Sequence, residues 1–77
     1  MKEDLLKAID LANNGKWEEA HQIAQQIDHP AAEWLHANLH REEGDKSNAS
    51  YWYNRCNLPY CTQSITDERK QIAKSLN

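Results

Sequence analysis

Apolar residues recur along this chain at helical spacing, in five stretches separated by turn residues. Leu5, Ala8, Ile9 and Ala12 form one stripe with Leu6 on its flank, which predicts a first helix over about Lys2 to Asn13. Asn13-Asn14-Gly15 ends it, with Gly or Asn supplying the left-handed cap. Trp17, Ala20, Ala24 and Ile27 share the face of a second helix, about Trp17 to Asp28, with Ile23 beside them. His29-Pro30 stops it, and Pro30 suits the first turn of the next helix. The third helix covers about Ala31 to Glu43, with Trp34, Leu35, Leu39, Ala31 and Ala32 as its apolar arc, and Gly44-Asp45 closes it. Ser47 or Asp45 caps a fourth helix over about Ser47 to Asn57, with Ala49, Trp52, Tyr53 and Cys56 on its inner face. Leu58-Pro59 breaks the pattern, and a last helix begins near Ser64 or Thr66 and ends at Leu76, with Ile65, Ile72 and Leu76 along one side.

The first two stretches resemble the next two. Leu6, Ala8, Gly15 and Ala20 recur 29 positions later as Leu35, Ala37, Gly44 and Ala49. Each unit reads as one helical hairpin, and stacked hairpins make a solenoid. The expectation is a single all-α domain over 1–77: hairpin 1 over about 2–28, hairpin 2 over about 31–57, and a C-terminal capping helix over about 64–76.

Composition supports this and narrows the function classes. The chain has 77 residues, 39% of them hydrophobic, with three Trp, three Tyr, no Phe and no Val. Strands favour β-branched and aromatic residues, so the lack of Val and Phe counts against a sheet. The abundant Ala, Leu, Gln, Lys and Glu are good helix formers. Leu and Ile are few, so the core leans on aromatics, one Trp in each of the second, third and fourth helices. The N-terminus has no apolar run, which argues against a signal peptide or a membrane span and for a cytoplasmic protein whose two Cys are reduced. The net charge of -3 disfavours nucleic-acid binding. Charge is uneven: the first 45 residues hold four Lys/Arg against ten Asp/Glu, and the rest hold five against two. Either the two halves face each other within one molecule, or one copy attracts another.

Gly15-Lys16-Trp17-Glu18-Glu19-Ala20 followed by Asp28-His29-Pro30 resembles the turn, second helix and closing Pro of a tetratricopeptide repeat, as does Gly44-Asp45 with Ala49. Tyr51-Trp52-Tyr53 resembles the aromatic run of Sel1-like repeats. The spacing is shorter than the usual period of about 34. Residues 33–55 are similar to a signature of short, uncharacterised bacterial helical proteins: Trp34-Leu35-His36-Ala37, Leu39-His40-Arg41, Glu43-Gly44-Asp45, Asn48-Ala49 and Tyr51 to Arg55. That resemblance implies no activity, but it points to the third and fourth helices as the distinctive part.

Those helices carry the candidate chemistry. His36 and His40 are one turn apart on one helix side, with Glu33 and Glu43 extending the stripe. Zn²⁺ accepts such a pair with a third ligand from elsewhere. Ala37 stands where the His-Glu-x-x-His pattern needs its general base, so that peptidase mechanism is absent. The plainer reading is two imidazoles on a helix flank, hydrogen-bonded to polar neighbours or partly exposed. Arg41, Glu42, Asp45, Asn48, Tyr51 and Arg55 make a second constellation. It reads as a hydrogen-bonded network in which Glu42 or Asp45 pairs Arg41 or Arg55, ahead of a ligand groove. Asp67, Glu68, Arg69, Lys70 and Lys74 read as a solvated helix face.

The sequence contains no phosphate loop, no dinucleotide fingerprint and no nucleophilic triad. The expectation is therefore a non-enzymatic, tetratricopeptide-like module that binds a protein partner or a second copy of itself. No cofactor, nucleic acid or membrane is called for. The candidate contact residues are His36, His40, Arg41, Glu43, Asn48, Tyr51 and Arg55, and the alternative is a small metal-binding protein or hydrolase using His36 and His40.

Overall fold

The computed structural model describes all 77 residues. It contains five α-helices and no strand: α1 (Lys2–Asn13), α2 (Trp17–Gln26), α3 (Pro30–Glu42), α4 (Lys46–Arg55) and α5 (Ile65–Ser75). α1 with α2, and α3 with α4, form two helical hairpins, and α2 packs on α3 to join them.

The repeat of 29 residues is a repeat of backbone geometry. The Lys16 N–H donates to the Leu11 carbonyl at 2.8 Å, and 29 residues on the Asp45 N–H donates to the His40 carbonyl at 2.9 Å. Between them lie Gly15 at φ 78° and Gly44 at φ 85°, a conformation that L side chains resist. Both hairpins thus turn through the same left-handed helix end. The equivalent pairs Ala8/Ala37 and Ala20/Ala49 are all fully buried.

Helix ends follow local chemistry. α2 stops at Gln26, two residues short of the expected end at Asp28, and Ile27 and His29 are extended. The Pro30 ring disfavours helical geometry in the residue before it, while its own φ starts α3. His29 caps that start, its Nδ1 accepting from the Ala31 N–H at 3.0 Å. α4 stops at Arg55 rather than Asn57, because Asn57 adopts a left-handed φ of 60°. Asp45 and Ser64 cap α4 and α5.

α5 folds back onto α3 and α1, the first helices of the two hairpins. Its Ile72 joins Leu5, Ile9, Leu35 and Leu39 in the main buried cluster. Eight of the fourteen buried apolar residues are Ala, so each contributes little area and the core is thin. A smaller cluster of Ala37, Ala49 and Tyr53 lies between α3 and α4.

Two sequence expectations are corrected. The charged stretch of α5 is not a solvated face throughout: Glu68 and Arg69 are buried, at 0% and 3% exposure, while Lys70 and Lys74 stay exposed. Glu68, Arg69 and Ile72 share the side that faces α3 and α1, and docking takes the two charges inside with the apolar residue. The three Trp are half-buried at the edges of the core rather than inside it. Two of the three indole N–H groups find a polar partner at that edge: Trp17 Nε1 donates to the Leu39 carbonyl at 2.7 Å and Trp34 Nε1 to Glu68 at 2.9 Å.

Candidate functional site

Where α2 crosses α3, three imidazoles meet. Trp17 and His21 are one turn apart on α2, as His36 and His40 are on α3. The Trp17 hydrogen bond to the Leu39 carbonyl holds the two helices in register. His21 then stands 4.5 Å from His36 and 5.2 Å from His40, centroid to centroid, and His36 and His40 stack at 4.9 Å. Two indoles close the group. Trp17 stacks on His21 at 4.8 Å, and Trp52 of α4 stacks on His36 at 3.9 Å with the planes only 14° apart.

Ring nitrogens of His21, His36 and His40 lie within 4.8 Å of one another. Of these rings, only His40 has a protein hydrogen bond, its Nδ1 lying 2.7 Å from Glu43 Oε1. His36 Nδ1 is fully buried and has no partner. A buried polar atom without a partner costs about 1–3 kcal/mol, so native folds avoid it unless something else is bound there. Burial, and then the neighbouring His21 and His40, push His36 down to about 3. His21 is lowered for the same reasons, burial first and then His40. Both rings are therefore neutral near pH 7, which is the form with a lone pair to give. The plain reading of His36 as hydrogen-bonded or partly exposed does not hold: the ring is 4% exposed and unpartnered.

A second constellation surrounds Glu68. Its carboxylate accepts from Tyr53 Oη at 2.6 Å, Asn38 Nδ2 at 2.8 Å, Trp34 Nε1 at 2.9 Å and an Arg41 guanidinium nitrogen at 3.1 Å. Burial alone would raise its pKa, but these four donors outweigh burial and hold it below the usual carboxylate value. Arg69 lies alongside, donating to Asn38 Oδ1 at 2.9 Å and to Glu42. Every lone pair of Glu68 faces a donor, so this carboxylate ties α5 to α3 and α4 and has no capacity left for a ligand, while the Nε–H of Arg41 beside it is buried without a partner.

The seven candidate residues therefore separate. His36, His40 and Glu43 belong to the imidazole group, and Arg41 belongs to the Glu68 bridge. Asn48 hydrogen-bonds Asp45 at the start of α4. Tyr51 and Arg55 form an exposed pair, with Arg55 also reaching Glu33 at 2.9 Å and lying over the Trp52 ring. The expected pairings of Glu42 or Asp45 with Arg41 or Arg55 do not form: Glu42 binds Arg69, Arg41 binds Glu68, and Arg55 binds Glu33. Sequence reasoning missed His21, Glu68 and Arg69. His21 had one usable signal, its position one turn after Trp17 on the side of α2 that must face α3. Cys56 and Cys61 are free, with thiols that burial pushes up, and they stand outside the imidazole group.

No helix is long and apolar enough to cross a membrane. Fold and site together define a two-hairpin helical protein with a buried imidazole cluster between its hairpins. No protein family, curated protein or solved structure matches this chain.

Proposed function

We propose that this chain is a metal-binding helical protein whose ligands are His21, His36 and His40. The observation that supports it is the convergence of three imidazoles from two helices with the buried His36 Nδ1 left unpartnered. Neutral imidazole suits Zn²⁺ and neighbouring transition ions, whereas Mg²⁺ and Ca²⁺ require oxygen ligands. Tetrahedral Zn²⁺ with bonds of about 2.0–2.1 Å places its ligand nitrogens about 3.3 Å apart. The present separations of up to 4.8 Å would shorten to that value on binding. Three protein ligands leave a fourth position for water or a small anion. With Ala37 where a general base would stand, metal binding rather than hydrolysis is the function assigned.

The test is metal content and Zn²⁺ titration of untagged protein, with His21→Ala beside the wild type. Stoichiometric binding lost in His21→Ala supports the assignment. No uptake of Zn²⁺, Cu²⁺, Ni²⁺ or Co²⁺ by the wild type removes it.

A second reading is a tetratricopeptide-like contact module for a protein partner or a second copy. It is supported by the repeated hairpin geometry and by Tyr51, 52% exposed beside Arg55, since aromatic and Arg side chains are enriched at binding hot spots. Light scattering across a concentration series tests self-association, and a monomer at every concentration rules that part out.

A further inference from the structure

The Glu43 carboxylate lies outside the three-imidazole group, yet it decides what one of those imidazoles can do. His40 Nδ1 is 2.7 Å from Glu43 Oε1, and the pair is set by helix geometry, three residues apart across the last turn of α3. An ionised carboxylate only accepts hydrogen bonds. The proton between them must therefore sit on His40 Nδ1. A neutral imidazole carries one N–H, so Nε2 is the nitrogen left with a lone pair. His36 and His21 have no such partner on either nitrogen, and their tautomers are free to adjust when a cation arrives. His40 is thus the one ligand of the three whose donor atom is chosen before the metal binds.

We propose that Glu43 is the positioning residue of this centre: it holds His40 in the Nδ1–H tautomer and so presents Nε2 to a Zn²⁺-class cation. This deepens the metal-binding reading above and rests on it. Glu43 also adds negative charge beside a ligand set that is otherwise neutral, which favours a dication and makes His40 a stronger donor. The Glu43 side chain is 39% exposed and the pair lies at a helix end, so Glu43→Gln, which keeps a hydrogen-bonding partner for the buried His40 ring, leaves the fold in place. Asp45 stands near the same carboxylate, but its own carboxylate is occupied as the cap of α4, accepting from the Asn48 N–H and the Asn48 side-chain amide.

The experiment compares wild type, Glu43→Gln, Glu43→Ala, Glu19→Gln as a charge control on exposed α2 surface, and His21→Ala. Zn²⁺ affinity is read by competition with a chromophoric chelator, and the His40 tautomer of the metal-free protein by ¹⁵N imidazole resonances. The expected result is an Nδ1–H ring at His40 in the wild type, a mixture of tautomers in Glu43→Gln, and Zn²⁺ binding weakened about 10–100-fold in both Glu43 variants. Glu19→Gln should match the wild type, and metal-free melting should be close to wild type in Glu19→Gln and Glu43→Gln and lowered in Glu43→Ala, which leaves the buried His40 Nδ1 without its partner. Binding by Glu43→Ala within about twofold of wild type, or an Nε2–H ring at His40 in the wild type, overturns the proposal while leaving the three-His reading intact. A wild type that binds no Zn²⁺ overturns both, and unchanged binding in His21→Ala overturns the ligand set on which both depend.

Discussion

The Tyr53 hydroxyl donates to Glu68 Oε2 at 2.6 Å, and both side chains are buried. This bond joins α4 to α5 at the point where the two helices have almost no other meeting place. Burial and the neighbouring carboxylate push the Tyr53 phenol up, so it stays a donor at every ordinary pH. Removing Glu68 would strand Tyr53, Trp34, Asn38 and the Arg41 charge together. Breaking a buried ion pair from one side costs about 3–5 kcal/mol. Glu68→Ala should therefore leave the chain barely folded, and Tyr53→Phe should cost about 1.5–3 kcal/mol as the loss of a hydrogen bond to a charged group. Urea unfolding followed by tryptophan fluorescence measures both.

Acid should destabilise the metal-free protein in two steps. His36 stays neutral in the fold down to about 3, while in the unfolded chain it takes up a proton near 6.5. The unfolded state therefore holds the extra proton between these values, and stability falls as pH falls through that window. The expected loss by pH 5 is about 1–2 kcal/mol at 1.36 kcal/mol per unit. Glu68 is depressed in the fold, so its contribution is present above the ordinary carboxylate value and is lost as pH drops through that value towards its folded one. Urea midpoints at pH 7.5, 5.5 and 4 should decline steadily, and His36→Phe should flatten the upper part of the decline. A wild-type midpoint that holds constant from pH 7.5 to 5 would contradict a neutral, buried His36.

The cations of α5 should differ sharply in importance. Arg69 is buried and holds Asn38, Glu42 and Asn13, whereas Lys70 and Lys74 are exposed. Arg69→Ala leaves Asn38 Oδ1 and the Glu42 charge without their partner and should cost about 3 kcal/mol or more. Lys70→Ala and Lys74→Ala should each stay within about 0.5 kcal/mol. Equal effects at the three sites would mean that α5 does not dock in this register.

The two turn glycines offer a test of the repeat. A Cβ at Gly15 or at Gly44 would meet nothing within 4 Å, so space is not the obstacle at either site. What remains is the left-handed backbone, which costs an L residue about 1–2 kcal/mol. Gly15→Ala and Gly44→Ala should lower stability by nearly the same amount, read from thermal melts. A large difference would show that the two turns are not mechanically equivalent.

Zn²⁺ should raise the melting temperature and perturb the fluorescence of Trp17 and Trp52, which border the imidazoles. At a free concentration 100 times the dissociation constant the stabilisation is about 2.7 kcal/mol. His36→Ala should abolish the shift. His29→Ala should keep it, because His29 is engaged at the start of α3, where its Nδ1 accepts from Ala31. A shift that survives His36→Ala would place the ion elsewhere.

Most of the helical framework was legible in the chain. The stripe of Leu5, Ala8, Ile9 and Ala12, the Gly15 and Gly44 stops, Pro30 and the Asp45 and Ser64 caps all act within about one turn of themselves. That is why they can be read in order along the sequence. Two of the three imidazoles were legible too, since His36 and His40 are four residues apart on one helix. His21 was not, because its meeting with them depends on how α2 lies against α3.

By itself, then, the sequence determined five helices, two matching hairpins and a pair of imidazoles one turn apart, because helical periodicity and capping are local interactions. Only the tertiary structure decided which polar groups meet. Trp34 finds Glu68 across 34 residues, Arg69 finds Asn38 across 31, and Arg41 finds Glu68 across 27. The charge pattern of α5 is equally compatible with a solvated face. Its burial follows from the docking of Ile72 among Leu5, Leu35 and Leu39, which carries Glu68 and Arg69 into the interior with it. The same packing of one hairpin on the next brings His21 to His36 and His40, and leaves His36 Nδ1 buried without a partner.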